Sequence, residues 1–260
     1  VIVNSRSMNA ELQNSFGLPP NKIAVVPNGT DPTVFDFEYD ARPLRGNFVS
    51  EHEQIVLYVG RMVREKGVHV MLEAVPRVIA ERPGTQFIFV GTGYYLDDLK
   101  KQAEYMGVSR YCHFLGYVGD EELKHLYKAA DAVCIPSLYE PFGIVALEGM
   151  AAQVPVVTSD VGGLKDFVEH METGVTTYAG DAGSLAWGLL QVLRNPELAD
   201  KLRQCAYDKV QHIYNWKVIA RRTLEVYQKV LKEAEFAKAG MSLSGESESR
   251  TGGGIAAGGQ

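Results

Sequence analysis

The chain has 260 residues, of which 46% are hydrophobic, 10% aromatic and 22% charged, and its formal net charge is −6. That balance excludes a wholly disordered, collagen-like or disulfide-scaffold chain and fits one large or two small folded domains. It argues against a mainly electrostatic nucleic-acid binder, and no apolar run reaches the ~18 residues that a membrane span needs.

The opening VIVNSRSMNAEL has no basic n-region, so a cytoplasmic protein is expected. Residues 1–3 read as a strand and 8–16 as a helix, and 32–52 are polar and irregular. Short apolar runs then alternate with helix-length segments. The strand candidates are residues 23–27, 55–61, 85–91, 112–118, 132–137, 154–159 and 174–179. They are rich in Val, Ile and Phe and mostly apolar without alternation, the pattern of strands buried on both faces. Helices are expected at 67–81, 95–106, 120–130, 142–152, 164–169 and 182–193. In the first of these, Val68, Met71, Leu72, Val75, Val78 and Ile79 recur at spacings of three and four. Such alternation predicts an α/β fold, a Rossmann-like parallel sheet with helices on both faces. Ligands of such sheets bind beyond the carboxyl ends of the strands.

After Arg194 the strands stop. One helix is expected from Pro196 to near His212, and another over 216–236 with Ile219, Leu224, Tyr227 and Leu231 on its apolar stripe. Residues 238–260 hold 11 Gly and Ser among 23 and read as a disordered tail. Cys112, Cys134 and Cys205 make no CxxC pair and are expected to be reduced, packed thiols. The six histidines lack metal-ligand spacing, so no metal site is expected, and His113 reads as a strand residue.

Four loops at expected carboxyl ends carry the candidate chemistry. GRMVREKG, residues 60–67, sets Arg61, Arg64 and Lys66 after a strand, where cations can clamp an anion. Taken alone, the segment fits a solvated basic turn better. GTG at 91–93 begins like a dinucleotide fingerprint, but Leu96 stands at the third glycine position. SLYEPFGIVALEGM, residues 137–150, contains a Ser137-x-x-Glu140 capping-box match that Pro141 disfavours. The helix is therefore expected to begin near Phe142, with Glu140 in the loop before it. Glu140, the Gly143 and Ile144 amides and Glu148 would then span roughly 12 Å, at ~1.5 Å per helical residue. Two carboxylates flanking a helix N-terminus suit a sugar, a phosphate and a ribose, although acids there also simply complement the helix dipole. SDVGG at 159–163 allows close approach of backbone.

In this order the segments resemble the donor-binding half of retaining glycosyltransferases of the GT-B type. That group includes glycogen synthases, sucrose-phosphate synthases and mannosyltransferases. The resemblance runs from Val1 to about Phe236. It rests on the E-x7-E pair Glu140 and Glu148, PNG at 27–29, GR…KG at 60–67 and PVVTSDVGG at 155–163. It implies that Arg61 and Lys66 hold the donor diphosphate and Glu148 the ribose. Glu140 would stand at the donor sugar, beside the Gly143 and Ile144 amides. Gly91, Gly93, Phe142 and Val145 would also contribute to donor binding, and the backbone near Tyr117 and Val118 would meet the base. Catalysis would fall to Glu140, Arg61 and Lys66 with no metal and no other cofactor, since the cations and the helix N-terminus neutralise the leaving diphosphate.

The implied donor is a UDP-, ADP- or GDP-linked sugar and the acceptor a saccharide. EPFG and VGGLKD resemble the glucan synthases, which points to glucose. A non-catalytic nucleotide-sugar-binding module and a GT-B epimerase or phosphorylase are the alternatives. Gln153 and Tyr94 depart from the Gly and Pro frequent in the family. The resemblance also implies an organisation: 1–31 as the end of an acceptor domain and the hinge, 32–213 as the donor domain, 214–237 as a crossover helix and 238–260 as the tail. The acceptor domain itself would lie on a preceding segment or a separate polypeptide.

Overall fold

A strand that is apolar on both faces needs cover on both, and the structure, a computed structural model describing residues 1–238, supplies it. In chain order its elements are β1 (Ile2–Val3), α1 (Arg6–Phe16), β2 (Ala24–Val25), α2 (Arg42–Arg45), β3 (Ile55–Val59), α3 (Val68–Glu81), β4 (Gln86–Val90) and α4 (Leu96–Tyr105). There follow β5 (Cys112–Gly116), α5 (Asp120–Ala129), β6 (Ala132–Ile135), α6 (Ile144–Ala151), β7 (Val156–Ser159), β8 (Val175–Thr177), α7 (Ala182–Arg194), α8 (Pro196–His212) and α9 (Trp216–Lys238). β1 and β2 pair in parallel as a small separate sheet. The other six strands form one sheet in the order β5-β4-β3-β6-β7-β8, every pair parallel. The chain therefore winds outward from β3 to β5, then returns to β6 on the other side of β3. That reversal opens a crevice at the carboxyl ends of β3 and β6.

Side chains alternate across each strand, so each apolar run feeds two cores. Val56, Tyr58, Phe87, Phe89, Ala132, Cys134 and Val157 meet Val68, Met71, Leu72 and Val75 of α3 and Leu185 and Leu189 of α7. Ile55, Leu57, Ile88, Val90, Val133, Ile135 and Val156 meet Leu126 of α5 and Ala146, Leu147 and Met150 of α6 on the opposite face. This double cover is why the runs carry no polar alternation.

Three expectations change. The helix expected at 164–169 is a 3-10 turn, Gly162–Asp166, because the chain after β7 is pressed against the loop carrying Glu140. The helix expected from Phe142 begins at Ile144, since Gly143 has a left-handed backbone (φ 104°) that ends the loop. The irregular stretch 32–52 contains a 3-10 turn, Pro32–Phe35, and the single-turn α2. His113 lies in β5, with Nε2 2.9 Å from Gln86 Oε1.

Residues Val1 to Ile219 form one unit, and a second begins at Ala220 within α9. The tail expected over 238–260 falls, beyond Lys238, outside the described residues. Among the described residues no helix is long and apolar enough to cross a membrane.

Candidate functional site

The four loops singled out in the sequence follow β3, β4, β6 and β7, which are neighbours in the sheet. All four therefore meet at the carboxyl edge, around the crevice. The β3 and β6 loops are locked together. The Leu138 and Tyr139 N–H groups both donate to the Glu65 carbonyl, at 2.8 and 3.1 Å. Gly67 is left-handed (φ 65°), and a Cβ there would lie 1.8 Å from the Pro136 carbonyl oxygen, so only glycine lets the backbones come this close.

This contact brings Lys66 to Glu140. Lys66 Nζ stands 2.7 Å from Glu140 Oε2, and the two side chains are only 22% and 11% exposed. Ser137 Oγ donates to the same oxygen at 3.1 Å. Arg61 is exposed, and among the described residues its guanidinium makes no ion pair or hydrogen bond. Lys66 shares its charge with Glu140, while Arg61 and the exposed Arg64 enter no ion pair among the described residues.

The β7 loop supports Glu140 from behind. Gly163 N–H donates to the Glu140 carbonyl at 2.9 Å. Gly162 is left-handed (φ 51°), and a Cβ on it would lie 1.9 Å from that same carbonyl oxygen. Gly162→Ala is expected to lower stability by at least the ~1–2 kcal/mol of a left-handed alanine, with the clash adding to it. Urea denaturation that shows no loss would contradict this packing.

Glu148 lies on α6, one turn beyond Ile144, and is half-buried. The Tyr127 hydroxyl donates to its Oε2 at 2.8 Å. Burial raises the Glu148 carboxyl above its ordinary range; the Tyr127 hydrogen bond opposes the shift and the Asp120 charge adds to it. Tyr127 is itself pushed well up by burial and by the neighbouring carboxylate. The phenol thus stays a donor and fixes one carboxylate oxygen. Gly143, whose position caps α6, adjoins the Glu140 side chain: a Cβ there would lie 3.6 Å from Glu140 Cγ. The first α6 amides have no intrahelical acceptor.

The remaining expected residues divide by side-chain placement. Ile144 is exposed and Val145 half-buried at the start of α6, and Tyr117 is exposed beyond β5. Phe142 and Val118 are core residues: Phe142 stacks on Phe167 at 5.2 Å, and Val118 is 8% exposed among the α5 and α6 contacts. Both side chains are taken up by the core, so the expected contribution of these two positions to donor binding falls to their backbone. Gly91 and Gly93 hold loops together, since a Cβ on either would meet the Gly60 or Met62 carbonyl at 2.0 or 2.2 Å. Tyr94, the departure from proline, accepts from the Arg64 N–H at 3.2 Å and ties the β4 loop to the β3 loop.

Two residues escaped the sequence reading. Ser137 belongs to the capping-box pattern but grips the Glu140 side chain, not a helix end. Tyr127 reads as an ordinary apolar position of α5, and only the demand of a buried phenol for a partner signals more.

The sequence model described as glycosyl transferases group 1 matches residues 44–209. An uncharacterised glycosyltransferase of Methanocaldococcus jannaschii is 38% identical over 232 residues, covering 88% of this chain and 59% of its own length. Glycogen synthase of Mycobacterium tuberculosis is 38% identical over 227 residues, covering 87% of this chain and 53% of its own. The solved sucrose-phosphate synthase of Thermosynechococcus elongatus superposes with a TM-score of 0.78 at 31% identity, covering 90% of this chain and 58% of that one. The chain thus spans a little over half the length of the relatives it matches. The segment matched by the family model, 44–209, includes all four loops at the crevice, and on these matches the chain belongs to the glycosyl transferases group 1 family.

Proposed function

We propose that this chain is the donor-binding half of a retaining glycosyltransferase, which moves glucose from a nucleoside diphosphate-glucose to a saccharide acceptor. The observation that carries the reading is the buried Lys66–Glu140 pair, held between the β3 and β6 loops, with Arg61 on the same β3 loop making no ion pair among the described residues. As the bond from the anomeric carbon to the diphosphate breaks, negative charge grows on the leaving oxygen. Arg61, Lys66 and the first amides of α6 are placed to stabilise it without a metal. Glu140, oriented by Lys66 and Ser137, faces the positive charge that grows on the sugar. Glu148 accepts from the ribose hydroxyls, with Tyr127 holding its other oxygen. Anabaena HepE, 25% identical with a TM-score of 0.81 over 88% of this chain and 63% of that one, was solved with UDP-glucose. That makes UDP-glucose the first donor to test.

The test is calorimetric titration with UDP, ADP and GDP and their glucose conjugates, in EDTA at low salt. Saturable binding of at least one nucleotide and its glucose conjugate is expected. No heat with any of them overturns the reading.

The raised Glu148 carboxyl gives a pH dependence with a definite sign. The ribose needs the ionised acceptor, so affinity is full above the raised pKa and falls as pH drops through it. The fall begins at higher pH than for an ordinary Glu, ~4.3. Stability runs the other way. The folded chain holds this proton more tightly than the unfolded one, so the Glu148 contribution favours folding below the unfolded pKa and is lost as pH rises through the folded value. Titrations across pH should show the inflection in affinity, and Glu148→Gln should remove it.

A further inference from the structure

The outer edge of the sheet carries a groove of ≈ 550 Å³ that the donor site does not use, lined by residues of β8, α7 and the segments beside them. Trp187 projects from α7 and is 43% exposed, and Tyr178, just after β8, is 77% exposed. The His170 ring stacks on Trp187 with centroids 6.0 Å apart and planes 17° from parallel. Asp160 and Asp181 complete the lining, with Ser184 between the elements.

The groove is ordered from within. The Thr176 N–H donates to His170 Nδ1 at 3.1 Å. A backbone N–H can only donate, so Nδ1 is unprotonated and Nε2 carries the proton as a donor of fixed direction. Asp181 uses Oδ1 to accept from the Gly183 and Ser184 N–H groups at 2.8 and 2.9 Å, which leaves Oδ2 as an acceptor. The Tyr178 N–H donates to Ser184 Oγ at 3.0 Å, pinning the β8 exit to α7. Asp160 is paired with Lys165 at 3.2 Å.

This chemistry selects its ligand. Two carboxylates disfavour an anion. The Asp160–Lys165 pairing cancels one negative charge, and Asp181 already caps a helix, so little remains to draw a cation. An exposed indole face flanked by acceptors and one fixed donor suits a ring that is apolar on its face and hydroxylated at its edge. We propose that this groove binds a neutral oligosaccharide, as a second saccharide surface outside the donor site. Asp160 begins the segment whose Gly163 supports the Glu140 backbone, and β8 lies two strands from β6, ~10 Å at ordinary strand spacing. A saccharide held here runs along the carboxyl edge toward Glu140 and would anchor a long acceptor. Binding is measured without nucleotide, so the proposal can fail or stand independently of the donor reading.

The test uses the full chain with maltoheptaose and mannohexaose, followed through the two tryptophan indole N–H resonances and by calorimetry. Saturable binding of either sugar that shifts the Trp187 resonance and not that of Trp216 is expected. Trp187→Ala should weaken it at least tenfold and Trp187→Phe by about threefold or less, while UDP affinity stays unchanged in both. Glu148→Gln should leave sugar binding intact. No binding of either sugar overturns the proposal, as does equal binding by Trp187→Ala, or displacement of the sugar by UDP. Saturable binding of tetramethylammonium in place of the sugars would mark a cation cage and overturn it too.

Discussion

Replacing Lys66 with Met should lower stability by about 3 kcal/mol, and adding Glu140→Gln should restore most of it. Both partners are largely buried, at 22% and 11% side-chain exposure, so removing the ammonium leaves a carboxylate with little water to solvate it. Breaking a buried pair from one side costs about 3–5 kcal/mol, and the Ser137 hydroxyl, which still donates to Glu140, argues for the lower end. Methionine keeps the length and volume of the lysine stem, so the loss is not one of packing. In the double variant the glutamine amide is neutral, still accepts from Ser137, and leaves no buried charge. Urea denaturation of the chain, the two single variants and the double variant measures the coupling. A loss below 1 kcal/mol for Lys66→Met would show that water screens the pair, and with it that the crevice is open at its base.

The sheet was legible because burial on both faces writes itself into composition. Ile55 to Val59 are apolar in sequence since Val56 and Tyr58 feed one core while Ile55 and Leu57 feed the other. The loops were legible because topology delivers every strand end to one edge, so Arg61, Lys66, Glu140 and Gly163 converge although Arg61 and Gly163 lie about a hundred positions apart. Contacts across that edge were not legible. Nothing local reveals that Gly162 and Gly163 serve the Glu140 backbone, or that Ser137 turns to a side chain. The late start of α6 follows from the same cause. Phe142 is drawn into the core against Phe167, and Gly143 must turn left-handed before the helix can begin. A local propensity argument sees only Pro141 and places the start two residues early.

Glu148→Gln should weaken UDP and UMP binding by a similar factor, about 10 to 150, while Glu140→Gln leaves both within threefold. The two carboxylates are eight residues apart and, in the function proposed above, serve different ends of the donor. Glu148 is aimed by Tyr127, which takes one lone pair and leaves the rest of the carboxylate to accept from two hydroxyls. Glutamine keeps an oxygen for Tyr127, so the fold is undisturbed, but it exchanges a charged acceptor for a neutral one. Hydrogen bonds to a charged group contribute about 1.5–3 kcal/mol, which converts to that range of affinity. Every nucleotide carries the ribose, so the loss does not depend on the number of phosphates. Glu140 is bound to Lys66 and Ser137, and in the proposed function it stands at the sugar rather than at the ribose or base, so its neutralisation would free the Lys66 ammonium for the diphosphate. Any change in UDP affinity on Glu140→Gln should therefore be toward tighter binding. Calorimetry with UDP and UMP on the two variants, each checked for native unfolding, separates the roles. Loss of UDP binding on Glu140→Gln with Glu148→Gln unaffected would reverse the assignment and place the sugar end of the donor at α6.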